Sequence, residues 1–426
     1  MKKITAALVG AGMRGAYSYA PYALEKPEEL EFVAVAEPDD IRREKFKKLH
    51  NIPDGMCFSS WEELLNQPKL ADAVLICTQD KMHYEPAIKA CEKGYNVLLE
   101  KPMSNNPAEC YKIGEAANKS KQIMSICHVL RYTPFFSTIK QLIDEGKIGK
   151  LVTIQHNENI GYYHYAHSYV RGNWRNSKEA SPIILAKSCH DMDILLWLAG
   201  AACKKLSSYG SLTHFKSENA PAGVPERCTD NCPCEDECIF SSKKLYSTGG
   251  FPGTYFASAI SSDTSPEGIE KALKEGPYGR CVYKCDNDVA DHQVVNMEFA
   301  NGVTAVFTMC AFSSDISRTI KLLGTNGEIR GIMGIEKTEI EVVDFRTAKK
   351  SSITIDTSME NGHGGGDSGL ISNFVKLLRE NAVNENLTSA SVSVQSHLMA
   401  FAAEKSRIEN CNIDMDEYVE QIRKSI

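Results

Sequence analysis

Short apolar, β-branched runs alternate with helical stretches over the first third of the chain. ITAALVG (4–10), EFVAVAE (31–37), ADAVLICT (71–78), YNVLLE (95–100) and QIMSICH (122–128) are apolar on both faces, as strands buried on both sides of a sheet must be. Between them, residues 41–50, 61–66, 84–93 and 107–119 interleave charges with apolar residues at helical spacing. Strand and helix in strict alternation predict a doubly wound parallel sheet over residues 1–128.

From residue 129 the rhythm changes. A helix over 135–145, the strand LVTIQHNENI (151–160) and a helix over 189–198 precede the strands HQVVNMEF, VTAVFTM, RTIKLLG and TEIEVVDF. Turn signals at Asn301-Gly302 and Asn326-Gly327 separate them, a spacing that predicts antiparallel hairpins. Residues 129–426 are therefore expected to form an α+β domain with a largely antiparallel, open sheet, interrupted at about 215–286 by an irregular insertion rich in Cys, Pro, Gly and Ser.

Composition narrows the partners. The 426 residues suit two domains at roughly 100 to 200 residues each, and a net charge of −7 offers no basic footprint for nucleic acid. No apolar run approaches the roughly 18 residues of a membrane span. The opening MKKITAALVGAGMRG ends in glycines rather than a small-residue cleavage site, so it reads as a buried strand and not a secretion signal, and a cytoplasmic location is expected. In that compartment the fifteen cysteines are expected to be reduced, some of them on metal.

The first candidate chemistry lies between the first strand and the first helix. Gly10-Ala11-Gly12-Met13-Arg14-Gly15 is G-x-G-x-x-G in the context that lets it work: Gly10 for the tight turn, Gly12 for close approach to a pyrophosphate, Gly15 for packing helix on strand. The free N–H groups of the following helix face the anion. Glu37, at the end of the second strand, stands where a carboxylate accepts from the adenosine ribose, which favours NAD over NADP. Asp39 and Asp40 can share that role, and Arg42 and Arg43 pull toward a phosphate.

With Glu100-Lys101-Pro102 the sequence resembles the Gfo/Idh/MocA oxidoreductases, the glucose-fructose oxidoreductase and inositol dehydrogenase relatives. The same resemblance is carried by Thr78 and His83, by Arg131 and Pro134 in HVLRYTP, by EGKIGKLV, and by His190-Asp191-Met192-Asp193. It implies a Rossmann domain followed by an α/β domain whose open sheet joins subunits as a homodimer or homotetramer. It also implies cofactor contacts from the glycine loop, Thr78, His83 and Glu100, with Lys101 beside both nicotinamide and substrate. A lysine in a partly desolvated cleft can polarise a hydroxyl, and His190 can exchange its proton. The aspartate that family dehydrogenases carry four residues before this histidine is here Ala186, followed by Lys187, which is expected to assist.

Two segments suit a polar ring. NIGYYHYAHSYVRGNWRN supplies Tyr163, His164, His167, Trp174 and Arg175, and with Arg131 and Asp193 these are the candidate carbohydrate contacts. Asn361-Gly362-His363-Gly364-Gly365-Gly366-Asp367 brings His363 and Asp367 to a glycine-rich turn and resembles the G-H-G-G-x-D segment of NAD-dependent glycosidases on the same scaffold. Cys228, Cys232, Cys234 and Cys238 in RCTDNCPCEDECIF, followed by Cys281 and Cys285, suggest a structural zinc, with iron–sulfur as the alternative because cysteine spacing alone does not fix the metal. Three functions stay open: an NAD(H)-dependent oxidoreductase acting on a sugar, sugar acid or cyclitol; an NAD-dependent glycosidase that oxidises its sugar transiently; and a non-catalytic sugar sensor.

Overall fold

The computed structural model describes residues 2–247, 253–261, 263–356, 363–382 and 386–426. Six strands form the first sheet: β1 (Ile4–Val9), β2 (Leu30–Ala36), β3 (Cys57–Phe58), β4 (Ala73–Ile76), β5 (Asn96–Leu99) and β6 (Met124–Ile126). Their order is β3-β2-β1-β4-β5-β6 and every pairing is parallel. The order reverses between β1 and β4, which opens a crevice beyond the carboxyl ends of those two strands.

Alternation along β1 explains how both faces are covered. Ala7 and Val9 pack with Leu64, Leu65, Ala87 and Ala90 of the crossover helices. Ala6 and Leu8 instead share a core with Leu370, Ile371, Phe374 and Val375 of the helix Gly366–Glu380. A helix from the last sixth of the chain thus closes the nucleotide-type sheet, so the halves before and after residue 128 are packed through one another rather than strung side by side. The helix Ala390–Glu409 also reaches back, with Val394 against Gly114 of the helix Pro107–Ser120.

Among the described residues the second sheet has nine strands: β7 (Leu151–Asn159), β8 (Cys203–Ser211), β9 (His292–Phe299), β10 (Thr304–Cys310), β11 (Ser317–Gly324), β12 (Gly327–Gly334), β13 (Thr338–Asp344), β14 (Lys350–Thr354) and β15 (Ile413–Asp414). All neighbours are antiparallel except β7 and β10. Strand β12, GEIRGIMG, escapes a propensity reading because three glycines dilute it; at Gly331 a Cβ would stand 2.6 Å from the Phe135 ring, so that glycine makes room for a helix. The Cys-rich insertion is more ordered than its composition suggests. It holds the helices Ser242–Ser247, Gly253–Ile260 and Pro266–Glu275, and it buries Phe240, Tyr246, Phe256 and Leu273 in the main core.

Candidate active site

The glycine loop has the geometry its spacing predicts. Gly10 has φ +91°, and a Cβ there would lie 2.6 Å from the Cys77 carbonyl oxygen. A Cβ on Gly15 would lie 2.3 Å from the Gly10 carbonyl oxygen, whereas one on Gly12 would meet no protein atom within 4 Å. The protein crowds the first and third glycines and leaves the second open toward the crevice, as a bound pyrophosphate requires. The chain then enters a π-helical turn over Met13–Tyr19, with Met13 exposed at its start. Glu37, buried at the end of β2, accepts from Ala11 N at 2.7 Å and Asp39 N at 3.1 Å, which fixes its carboxylate against the loop. Arg43 turns to Asp40 and to the Glu37 carbonyl.

Arg14 and Glu100 are held in a network. Arg14 donates to Glu100 Oε1 from Nε at 2.7 Å and to both oxygens of Asp367 at 2.7 and 2.9 Å. Tyr19 and the Lys101 backbone N–H also donate to Glu100, at 2.6 and 2.9 Å. Burial drives the Glu100 carboxyl up, but Arg14 and Lys101 outweigh it and hold it below the usual range. His83 bridges the carbonyls of Pro102 (2.7 Å) and Thr78 (3.1 Å), tying the loop after β4 to the one after β5.

Lys101 stands just beyond β5, half-buried, and its Nζ donates to the Ala186 carbonyl oxygen at 3.0 Å. The position that lacks an aspartate therefore still holds the lysine, through its backbone. His190, on the helix Cys189–Ala199, is 3% exposed, and neither of its ring nitrogens has a hydrogen-bond partner among the described residues. Its ring lies 5.8 Å from that of His363, which contacts Asp367 Oδ2 at 3.1 Å. Burial first, then Lys101 and His363, push the His190 pKa well below its ordinary value, so the imidazole is neutral. Buried polar atoms are rarely left unpaired, and a neutral imidazole with both nitrogens free beside an ammonium is a group kept for a ligand. Asn361 and Gly362 of the same glycine-rich turn lie outside the described residues. Gly366 packs against the protein itself, since a Cβ there would lie 2.4 Å from the Val129 carbonyl oxygen.

Other expected substrate contacts are committed elsewhere. Arg131 and Asp193 form a buried bidentate pair at 2.6 and 2.7 Å, and Arg131 also donates to the Leu387 carbonyl, so their charges are spent inside the core. His167 is stacked between Phe256 and Tyr278 with ring separations of 4.1 and 4.8 Å, and its Nδ1 meets the Tyr246 hydroxyl. Arg175 makes a bidentate contact with Asp286 at 2.9 and 3.1 Å, pinning the loop to the insertion. Trp174 reaches Asp80 at 3.5 Å, and Tyr163 packs edge-on to Tyr162. His164, whose pKa burial and then Lys187 push well down, meets the Ile160 carbonyl at 3.3 Å through Nδ1.

All fifteen cysteines are free thiols. Cys228, Cys232, Cys234 and Cys238 line one cavity of about 520 Å³ together with Cys281 and Arg171. Among the described residues no three His, Cys, Asp or Glu side chains converge closely enough to cage a metal ion.

A second polar cluster escapes motif reading. Lys187 Nζ lies 3.3 Å from Glu158 Oε1, Arg318 contacts Glu158 and also Asp191 (Nε to Oδ1, 2.8 Å), and His156 Nε2 meets Asp191 at 2.8 Å. The signal is in β7: period-two alternation places His156 and Glu158 on the same inward face as Ile154, where polar side chains need partners.

Family comparison agrees with this geometry. The oxidoreductase family model for the NAD-binding Rossmann fold of the Gfo/Idh/MocA proteins matches residues 4–128, and that for their C-terminal alpha/beta domain matches 140–410. The chain belongs to the Gfo/Idh/MocA oxidoreductase family, and its first domain binds NAD. The oxidoreductase YteT of Bacillus subtilis (strain 168) is 24% identical over 339 residues, 77% of each protein. The NAD(+)-dependent scyllo-inositol 2-dehydrogenase of the same organism is 26% identical over 222 residues, covering 49% of this chain and 58% of the relative, so that match spans little more than half the enzyme. In fold, a levoglucosan dehydrogenase in complex with NADH and levoglucosan superposes with a TM-score of 0.72 at 17% identity, over 97% of this chain and 100% of that one. Among the described residues no helix is long and apolar enough to cross a membrane.

Proposed function

We propose that this NAD(H)-linked oxidoreductase transfers hydride to or from a hydroxyl-bearing carbon of a sugar, sugar acid or cyclitol, with Lys101 and His190 handling the hydroxyl proton and Lys187 assisting. The observation that carries this reading is His190, buried with both ring nitrogens unpartnered among the described residues and within the electrostatic reach of Lys101, which stands just beyond β5 in a sheet whose glycine loop leaves Gly12 open. NAD supplies the hydride acceptor. Around it, Gly10 and Gly15 shape the loop, Gly12 and Met13 would hold the pyrophosphate, and Thr78 and His83 set the loop at the crevice edge. Glu37 selects NAD by accepting from the ribose and repelling a 2′-phosphate. Lys101 orients the hydroxyl, and the free ring nitrogen of His190 takes its proton. Scyllo-inositol and levoglucosan, the substrates named for relatives, are both polyhydroxylated rings, which supports this substrate class.

A second reading, the glycosidase that oxidises its sugar transiently, is favoured by one feature. His363, paired with Asp367 and facing His190, is a second imidazole for a leaving group. The outward face of the second sheet, with Gln155, Thr304, Arg330 and Tyr209 exposed, is where we place the contact between subunits of a dimer or tetramer. A cytoplasmic location and a structural zinc on Cys228, Cys232, Cys234 and Cys238 belong to the same proposal; the zinc requires the thiols to draw together from their present positions.

The test is calorimetry with NAD, followed by incubation with NAD and a panel of inositols, hexoses, uronates and aryl glycosides. Net NADH formation that falls at least about 100-fold in Lys101→Ala, with NAD affinity kept, supports the dehydrogenase. Phenol release without NADH moves the assignment to the glycosidase, NAD binding without any turnover to the sensor, and no NAD binding overturns the proposal.

A further inference from the structure

Lys187 and Glu158 form a pair whose position is hard to explain by stability. Glu158 is fully buried on β7, and Lys187, next in sequence to the residue whose carbonyl holds Lys101, keeps 15% of its side chain exposed. A buried ion pair is seldom worth more than the apolar residues that can replace it, so one that stands at the edge of a reaction cleft needs another reason. Lys187 directly follows Ala186, whose carbonyl holds Lys101, so the two ammonium groups are brought to the same wall of the site. The charges around Lys187 come from several elements. Glu158 faces it from β7, Arg318 from β11, Asp191 from the helix Cys189–Ala199 and Lys101 from the end of β5; His164 and His363 stand nearby as neutral rings.

We propose that Glu158 is a positioning residue for Lys187, and that the two share one proton beside Lys101 in place of the carboxylate missing at position 186. The cross-strand register sets the arrangement. Arg318 lies directly opposite Glu158 on β11, contacts it, and reaches on to Asp191, which His156 holds from the other side. Two cations and two carboxylates are thereby locked in alternation, and of the four side chains Lys187 keeps the largest exposed share, 15% against 7% for Arg318 and none for Glu158 and Asp191. Burial pushes the Lys187 amine down, helped by Arg318 and Lys101, and pushes the Glu158 carboxyl up, so the two proton affinities approach each other.

The inference deepens the proposed reaction and rests on it for one step. When His190 takes the proton of the substrate hydroxyl, the C–H electron pair leaving as the hydride that bound NAD would accept, Lys187 gives one of its protons to Glu158 and receives the released proton at the Nζ lone pair this frees. The net change is one protonated carboxyl, with no second positive charge added next to Lys101. An aspartate at 186 would do this alone; here a buried glutamate does it through a lysine.

The experiment reads the pair without substrate or cofactor. The full chain is labelled with trace acetic anhydride across pH 6 to 11, and the extent at each lysine is read by peptide mass spectrometry. In the native protein Lys187 is expected to become labelled at distinctly lower pH than exposed lysines such as Lys119 of the same sample. In Glu158→Gln its labelling midpoint is expected to fall by a further unit or more, about a tenfold gain in labelling near neutrality, and Glu158→Asp is expected to restore most of the difference. A native Lys187 that is labelled in step with the exposed lysines overturns the proposal whether or not the variants fold, and so does a folded Glu158→Gln with an unchanged profile. Where a panel sugar is oxidised, the acid limb of kcat/KM moves with the labelling midpoint while KM for NAD does not. Absence of turnover counts against the reaction; the proton-sharing pair is judged on the labelling alone.

Discussion

Histidines dominate the residue scale because the site draws them into a file. His363, His190, His128 and His397 succeed one another with ring separations of 5.8, 5.9 and 5.2 Å. His128 is fully buried, and burial, with Arg131 and Lys101, lowers its pKa to about 4 against the pull of Asp193. In the unfolded chain the same ring titrates near 6.5. Above pH 6.5 both states are neutral and nothing is lost. As pH falls from there to about 4 the unfolded state binds a proton that the folded state refuses, so stability declines, by about 3 kcal/mol for this one group. Urea unfolding at pH 7.5 and pH 4.5 measures it. His128→Phe is expected to flatten the decline by about that amount, and an unchanged difference between the two pH values would show that the ring is hydrated or paired after all.

At the scale of elements the glycine loop gives the cleanest separation of folding from function. Gly15→Ala forces a Cβ against the Gly10 carbonyl at 2.3 Å and Leu8 at 2.9 Å, so the helix must lift from β1 at a cost of about 1–3 kcal/mol. Gly12→Ala meets nothing, and its φ of −79° suits any residue, so stability should stay within about 0.5 kcal/mol. NAD affinity should nevertheless fall at least tenfold, since the methyl enters the space left for the pyrophosphate. Thermal melts with NAD titrations check both, and a Gly12→Ala protein that binds NAD normally would mean the cofactor takes another path.

The same scale shows what the sequence could reveal. The parallel sheet is legible because its strands are apolar on both faces and its glycines fall at a strand end, and the local motif around Lys101 marks the loop that follows β5, where that lysine meets the Ala186 carbonyl. What stayed hidden depends on partners distant along the chain. Arg131 and Asp193 look like site residues until they are seen 2.6 Å apart, and Arg175 until Asp286 meets it. Glu158 carried a signal in the period of β7, but its meaning required Arg318 from a strand 160 positions on.

At the scale of the whole molecule, Arg14 ties distant parts of the chain together. Its guanidinium joins the helix after the glycine loop to Glu100 at the end of β5 and to Asp367 on the helix Gly366–Glu380, which covers the other face of the same sheet. Glu100 in turn fixes the Lys101 backbone, so a contact made 353 residues apart reaches both the cofactor loop and the reacting lysine. Arg14 keeps 28% of its side chain exposed, so solvent screens part of its interaction, and we expect Asp367→Asn to cost about 1–2 kcal/mol rather than the 3–5 typical of a wholly buried pair. The larger effect should be on coupling. Hydrogen exchange should quicken together in Met13–Tyr19 and Gly366–Glu380, NAD affinity should weaken several-fold, and Asp367→Glu should recover part of both. Exchange that quickens in Gly366–Glu380 alone, with NAD binding intact, would show that the two halves are merely packed together and that the glycine loop holds its shape without help from the far end of the chain.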